Sequence, residues 1–288
     1  MSYTGDPVQR FIAGIGQDYL SLRFKENHFL LSLHLQNFLL KFFTRHLRKF
    51  FFLHATTIGT ESFLSVKNQG RETQGLFLTF QKRLENMKNQ LKKELSKITD
   101  FKEPKISLEQ YMTPPALAAD MVFTAYMQQD IKGLKVADLG TGTGTLAIGA
   151  ALAGAENVKA FEKDEEALSQ ARKNAEKLGV KEFIDFIECG VEEVEGDFDT
   201  VLMNPPFSVH SDVGLDFWGK ACEISGKVYG ISPRGAREPI KDFVGNSNHE
   251  ILGVEAYSIG LPPSYGFHTE ESRETSVDLI VTGKVNKE

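Results

Sequence analysis

The chain has 288 residues, a formal net charge of −6, 41% hydrophobic and 25% charged residues, the profile of a globular chain long enough to bury a sizeable core. Two cysteines, Cys189 and Cys222, exclude a disulfide framework and a paired metal-ligand spacing, so small buried thiols in a reducing cytosol are expected. Charge and phenylalanine divide the chain: residues 1–86 sum to +5 and hold 12 of its 22 Phe, whereas residues 87–288 sum to −11. Two parts are therefore expected, a Phe-rich basic N-terminal segment over 1–86 and an acidic domain over 87–288.

In the first part, "FLLSLHLQNFLLKFFTRHLRKFFFL" (29–53) has the look of a membrane span. His34, Gln36, Asn37, Lys41 and Arg45 interrupt it before about 20 apolar residues accumulate, so no spanning helix is expected. No basic n-region followed by an apolar stretch opens the chain, so no signal peptide is read there. A basic, Phe-rich stretch would suit an interfacial amphipathic helix. The preferred expectation is an upstream extension without a fold of its own, because Met87 begins "MKNQLKKELSKITDFKEPKISLEQY" with helical periodicity.

After Pro115 the pattern becomes regular. Helix "PALAADMVFTAYMQQ", strand "KVADLG", helix "TLAIGAALAG", strand "VKAFEKD", helix "EEALSQARKNAEKLG" and strand "EFIDFIEC" follow one another. Strand "FDTVLMN", helix "GLDFWGKACEIS", strand "KVYGISP", a helical stretch over 235–246, and "EILGVEAYSI" and "SVDLIVTGKV" complete the series. Strands alternating with helical patterns predict an α/β fold: a Rossmann-like, mostly parallel sheet with helices on both faces. The last two strands have no helix between them and predict an antiparallel C-terminal hairpin. In such sheets ligands bind beyond the carboxyl ends of the strands, where both chemical motifs fall.

The first motif is "DLGTGTG", Asp138 to Gly144, between the first strand and its helix. Its G-x-G-x-G spacing puts Thr145 where a dinucleotide fingerprint wants a third glycine, and no Lys follows as a phosphate-cradling loop would need. Gly140, Gly142 and Gly144 let the backbone turn sharply and approach an adenosyl group closely. Glu162 ends the second strand, 24 residues beyond Asp138, where a carboxylate can accept hydrogen bonds from both ribose hydroxyls. Together these features resemble the Rossmann-like S-adenosylmethionine-dependent methyltransferases.

The second motif is "NPPF", Asn204 to Phe207, closing the run "FDTVLMNPPF". Pro205 and Pro206 end the ladder and stiffen the chain beyond it. The tetrapeptide resembles the Asn/Asp-Pro-Pro-Phe/Tyr signature of enzymes that methylate planar exocyclic or amide nitrogens. The Asn204 side-chain oxygen and the Pro205 carbonyl can hold the two hydrogens of such an NH2 and aim its lone pair. Phe207, read as an exposed ring, offers a face for base stacking. Upstream, "LEQYMTPP" resembles the segment that amino-methyltransferases lay over the cofactor. Thr113 as an N-cap followed by Pro114 at the first helical position is a second reading of it.

The runs "KNQLKKELSKITDFKEPKISLEQYMTPPALAADM", "VADLGTGTGTLAIGAALAGA", "DTVLMNPPF" and "LPPSYGFH" together resemble the methyltransferase-like protein five family and its archaeal relatives. The resemblance implies transfer of a methyl group from S-adenosylmethionine to the six-amino group of an adenosine in small-subunit ribosomal RNA. It also implies a small zinc-binding adaptor that adds to the sheet edge around the early strands. Catalysis would fall to Asn204, Pro205, Pro206 and Phe207. Cofactor contacts would come from Gln110, Tyr111, Thr113, Asp138, Gly140, Thr141, Gly142, Gly144, Glu162, Lys163, Gly190 and Val191.

Three departures from the family pattern stand out. Gly190 occupies the place of an acidic residue that faces the cofactor's adenine, so that contact is missing or passes to Glu188 or Glu192. "SVHSDVGLDF" lacks the lysines of relatives, and "SYGFH" is followed by "TEES" in place of a basic run. In an acidic body, candidate RNA contacts are Lys88, Lys92, Lys93, Lys97, Lys102 and Lys105, with Arg234 and Arg237 after the fifth strand. His210 and Asp212 lie near the tip, but the chemistry requires no base. A glutamine-amide protein methyltransferase, which uses the same Asn-Pro-Pro tip, and an inactive cofactor-binding subunit are the alternative readings.

Overall fold

A computed structural model describes residues 82, 84–207, 214–261 and 273–285. The chain divides into two compact units, one of Met1–Gln17 with Lys88–Glu288 and one of Asp18–Met87. The segment 29–53, the loop 208–213 with His210 and Asp212, and "SYGFH" lie outside the described residues. No helix among the described residues is long and apolar enough to cross a membrane.

Within the first unit, helical residues 88–95 (α1) precede α2 (Pro115–Met127), β1 (Lys135–Leu139), α3 (Thr145–Leu152), β2 (Asn157–Glu162) and α4 (Glu165–Lys177). Then come β3 (Ile184–Glu188), β4 (Phe198–Met203), α5 (Leu215–Ile224), β5 (Ser225–Pro233), α6 (Arg237–Asn246), β6 (His249–Leu261) and β7 (Arg273–Lys284). The seven strands lie in the order β3-β2-β1-β4-β5-β7-β6. Strands β1 to β5 pair in parallel, and β7 runs antiparallel between β5 and the outer strand β6. The doubly wound sheet with its antiparallel hairpin is the architecture that the alternation of strands and helices predicts.

The strand order reverses between β1 and β4, and that reversal places the site. Loops leaving neighbouring parallel strands on opposite faces diverge, so a crevice opens above their carboxyl ends. The glycine loop leaves β1 and the Asn-Pro-Pro-Phe tip leaves β4, on adjacent strands in register from Val136 opposite Thr200 to Leu139 opposite Met203.

The helices follow from local chemistry. Helix α4 buries Ala167, Leu168, Gln170, Ala171, Asn174 and Ala175, a stripe at helical spacing. The Asp164 carboxylate caps it by accepting the Glu166 N–H at 3.2 Å. Glu165 and Glu166 in its first turn and Lys177 in its last complement the helix dipole. Helix α3 is buried all round, as a short helix wedged behind the sheet must be. Trp218 of α5 lies fully buried against Gly230, where an added Cβ would stand 2.6 Å from the indole. A side chain at 230 would displace that ring from its seat against the face of β5.

One terminus differs from expectation. Helix α2 begins at Pro115 with Pro114 as its cap, and no side chain caps it. Thr113 does not cap the helix: Pro114 and Pro115 have no N–H to donate to its hydroxyl oxygen, which instead accepts from Asn204 Nδ2 at 3.0 Å.

Candidate active site

A cleft of about 370 Å³ opens above β1, β2 and β4. The glycine loop forms its floor, with Gly140, Gly142 and Gly144 at φ of +69°, +54° and +87°. Those angles make glycine the residue of choice at all three positions. Gly140 and Gly142 line the cleft, and Gly144 lies behind it. A Cβ on Gly140 would meet the Phe217 ring at 3.2 Å, one on Gly142 the Phe101 ring at 3.0 Å, and one on Gly144 the Ala171 Cβ at 3.1 Å. Their missing side chains thus make room for the protein's own packing as well as for the turn.

Glu162 holds the loop. Its Oε2 accepts the Gly142 N–H at 2.9 Å and its Oε1 accepts the Asp164 N–H at 3.1 Å. Burial raises its pKa, and those N–H bonds partly offset the rise. The Lys163 N–H also bonds the carboxylate, which keeps room to accept a further donor.

A strap of residues 97–113 forms the roof. Buried Asn174 donates to the carbonyls of Thr99 and Thr143, both at 2.9 Å, and accepts the Thr99 N–H at 3.0 Å. It therefore sews the strap to the glycine loop. Lys105 bridges Asp164 at 2.7 Å and Glu166 at 2.9 Å, and Gln110 Nε2 donates to Asp164 at 2.5 Å. The strap then reaches the substrate tip: Tyr111 Oη donates to Asn204 Oδ1 at 3.3 Å, and Asn204 Nδ2 donates to Thr113 Oγ1 at 3.0 Å. These two bonds fix the amide's orientation and leave Oδ1 one unused lone pair.

Of the residues expected at the site, Gln110, Tyr111, Thr113, Gly140, Thr141, Gly142, Glu162, Lys163, Val191, Asn204 and Pro206 line the cleft. Asp138, Gly144, Gly190, Pro205 and Phe207 do not. Asp138 lies buried beneath, its Oδ2 accepting the Thr141 hydroxyl at 2.7 Å and the Ala147 N–H at 2.9 Å. Pro205 is buried. Phe207 is half-buried, not exposed, because its ring packs at 5.8 Å and a 58° tilt against Tyr111.

At Gly190 the cleft gains what the sequence lacks. The Glu192 carboxylate folds back onto the space that a side chain at 190 would fill, and Glu192 lines the cleft whereas Glu188 does not. Cys222 is buried, but Cys189 is only half-buried and lines the cleft.

The family profile described as methyltransferase small domain matches residues 118–226. The zebrafish (Danio rerio) rRNA N(6)-adenosine-methyltransferase METTL5 is 36% identical over 194 residues, 65% of this chain and 93% of that protein. Its Drosophila melanogaster counterpart is 34% identical over 200 residues, 66% of this chain and 92% of that protein. This chain belongs to the METTL5 family. A crystal structure from Pyrococcus horikoshii, provisionally described as an RNA methyltransferase, superimposes with a TM-score of 0.64 at 36% identity, over 69% of this chain and 98% of that one.

For a METTL5-family chain, several site residues carried no legible signal. Phe101, Glu109, Val194 and Phe217 line the cleft. A lone aromatic in the polar stretch "KITDFKEPK" was the one clue to Phe101. The basic candidates are also partly committed: Lys88 pairs with Asp120 at 3.1 Å and Lys97 with Glu94 at 2.6 Å. Arg237 donates twice to buried Asp278, at 3.0 and 2.8 Å, while Arg234 stands 3.7 Å from its other oxygen.

Asp138 makes a pH prediction. Its Oδ1 is buried without a partner, and burial pushes its pKa from 3.8 up to about 7 against the bonds from Thr141 and Ala147, with the Glu162 charge adding to the rise. Between those values the folded state keeps a proton that the unfolded state releases. The stability this contributes is full below the unfolded value and is lost as pH rises towards about 7. The amide introduced by Asp138→Asn has no proton to lose. Without cofactor, the Tm of Asp138→Asn relative to wild type should therefore climb by about 5 °C or more between about pH 5 and pH 8. A difference that stays flat in thermal melts across that range counts against a proton held at Asp138.

Proposed function

We propose that this chain transfers a methyl group from S-adenosylmethionine to the N6 amine of an adenosine in ribosomal RNA of the small subunit, in the cytoplasm. One observation carries the reading. An Asn-Pro-Pro-Phe tip and a G-x-G-x-G loop sit on adjacent parallel strands over one cleft, in a chain that spans 93% of a named rRNA N6-adenosine methyltransferase.

The residues present suit the cofactor. A cleft of about 370 Å³ falls in the range of small-molecule sites. Glu162 offers lone pairs to ribose hydroxyls, Glu192 stands in for the acidic adenine contact that Gly190 lacks, and Gln110, Tyr111 and Thr113 close the roof. Bound there, S-adenosylmethionine would supply an electrophilic methyl group.

The tip does the rest. An aromatic amine is a weak nucleophile because its lone pair is delocalised into the ring, so its orientation matters more than its activation. Asn204 Oδ1 accepts one amine hydrogen and the Pro205 carbonyl the other, which turns the lone pair out of the ring plane. A neutral acceptor pair suffices, because the amine need not lose a proton before attack. Tyr111 and Thr113 hold the Asn204 amide in one orientation, so little reorganisation is needed when substrate arrives. Phe207, braced by Tyr111, stacks on the base. We assign catalytic activity to residues 87–288 and a small zinc-binding adaptor to the outer edge of β3, which pairs with β2 on its other side.

The test is transfer of labelled methyl from S-adenosylmethionine to unmodified ribosomal subunits by the full chain and by residues 87–288, with and without the adaptor. N6-methyladenosine in the digested RNA is the expected product. Label recovered in protein instead would replace this reading with the glutamine-amide one.

A further inference from the structure

Two prolines leave the tip short of backbone donors. Pro205 and Pro206 have no N–H, so the first donor after Asn204 is that of Phe207. It goes to Glu109 Oε2, at 2.6 Å. Glu109 belongs to the strap and lines the cleft. It ends the 3-10 turn Ile106–Leu108, donating its own N–H to the Ile106 carbonyl at 2.9 Å.

Its backbone is unusual. At φ 49° and ψ 41° Glu109 adopts the left-handed conformation, which residues with a Cβ seldom take. Glycine would hold that turn with less strain, so what glutamate adds there is its acceptor. The strap is pinned on both sides of it. Gln110 Oε1 accepts the Lys105 N–H at 2.8 Å, and Tyr111 donates to Asn204.

We propose that Glu109 is a positioning residue for methyl transfer, tethering the Asn-Pro-Pro-Phe tip to the cofactor-side strap. The inference rests on the catalytic reading of that tip. By fixing the Phe207 N–H, Glu109 sets the Pro206–Phe207 peptide plane and, through two stiff prolines, the direction of the Pro205 carbonyl. Neither the Asn204 bonds nor the ring contact with Tyr111 restrains that part of the backbone.

Glu109→Ala, Glu109→Gly and Glu109→Gln in the full chain test it. Ala and Gly should lower kcat about 10- to 100-fold, as misplacement of a reacting group does, while KM for RNA and the cofactor Kd stay within about 3-fold. Gln should keep kcat within about 5-fold of wild type, because its amide oxygen accepts the same N–H. Gly also relaxes the turn, so loss of kcat in a Gly variant with unchanged Tm separates the tether from folding. Hydrogen exchange at the Phe207 amide gives a readout independent of acceptor, and it should quicken in Ala and Gly but not in Gln. Wild-type kcat in Ala and Gly, or unchanged Phe207 exchange, overturns the proposal. Should wild type label protein and not RNA, the RNA reading falls while the same kcat ratios on the protein acceptor still judge Glu109.

Discussion

Asn204→Ala is expected to lower turnover about 100- to 1,000-fold, the range found when one preorganised polar partner of a reacting group is deleted, while cofactor affinity changes by no more than about 3-fold. The reason is that Asn204 follows β4 whereas Glu162 of β2 holds the glycine loop, and in the proposed reaction the Asn204 side-chain oxygen accepts an amine hydrogen. Because Asn204 also accepts from Tyr111 and donates to Thr113, its loss could act by loosening the strap. Tyr111→Phe separates the two effects. It deletes the hydroxyl yet keeps the ring against Phe207, so its turnover should stay within about 10-fold of wild type, a cost in line with one neutral hydrogen bond. Single-turnover methylation of RNA with saturating cofactor gives both values. Asn204→Ala at the level of Tyr111→Phe would remove Asn204 from its assigned role.

Glu162→Ala is expected to weaken binding of S-adenosylmethionine and of its demethylated product about 10- to 150-fold, the equivalent of one or two hydrogen bonds to a charged group. Two losses combine. The N–H groups of Gly142 and Asp164 lose the acceptors that hold the glycine loop against β2, and in the proposed binding mode the ribose loses a carboxylate. Glu162→Gln should fall between wild type and Ala, since its oxygen serves one N–H while its NH2 group faces the other. Calorimetric titration of both ligands checks this. Equal affinities in wild type and Ala would show that the Gly142 N–H finds another partner and that Glu162 does not meet the ribose. Asn204→Ala and Glu162→Ala thus read opposite sides of one cleft, turnover on one and affinity on the other.

The parts of that cleft differ in how far the sequence reveals them. The glycine loop and the tip were legible because each is a short run whose residue types have few other uses at that spacing. Three glycines after a strand, and two prolines after another, constrain the backbone locally wherever the chain goes next. The strap was only half legible. Its resemblance to a cofactor-covering segment drew notice to Gln110, Tyr111 and Thr113, but Glu109 looked like any surface carboxylate until its bond to Phe207 appeared, 98 residues away. Thr113 passed for a helix cap because caps are read from near neighbours, whereas its hydroxyl serves Asn204. Phe207 passed for exposed because nothing near it in sequence reveals the Tyr111 ring.

The same division runs through the whole unit. Periodicity alone determined the alternation of strands and helices, the parallel sheet, the antiparallel hairpin and the edge on which both motifs lie, because backbone conformation and the burial of one face are properties of a few consecutive residues. Tertiary structure alone decided that the Glu192 carboxylate occupies the place left by Gly190, that Arg237 is spent on buried Asp278, and that Asn174 sews the strap to the glycine loop. Those pairings join side chains that are long, rotatable and distant in the chain. Which donor meets which acceptor is fixed only when the sheet has brought the loops of β1, β2 and β4 to one crevice.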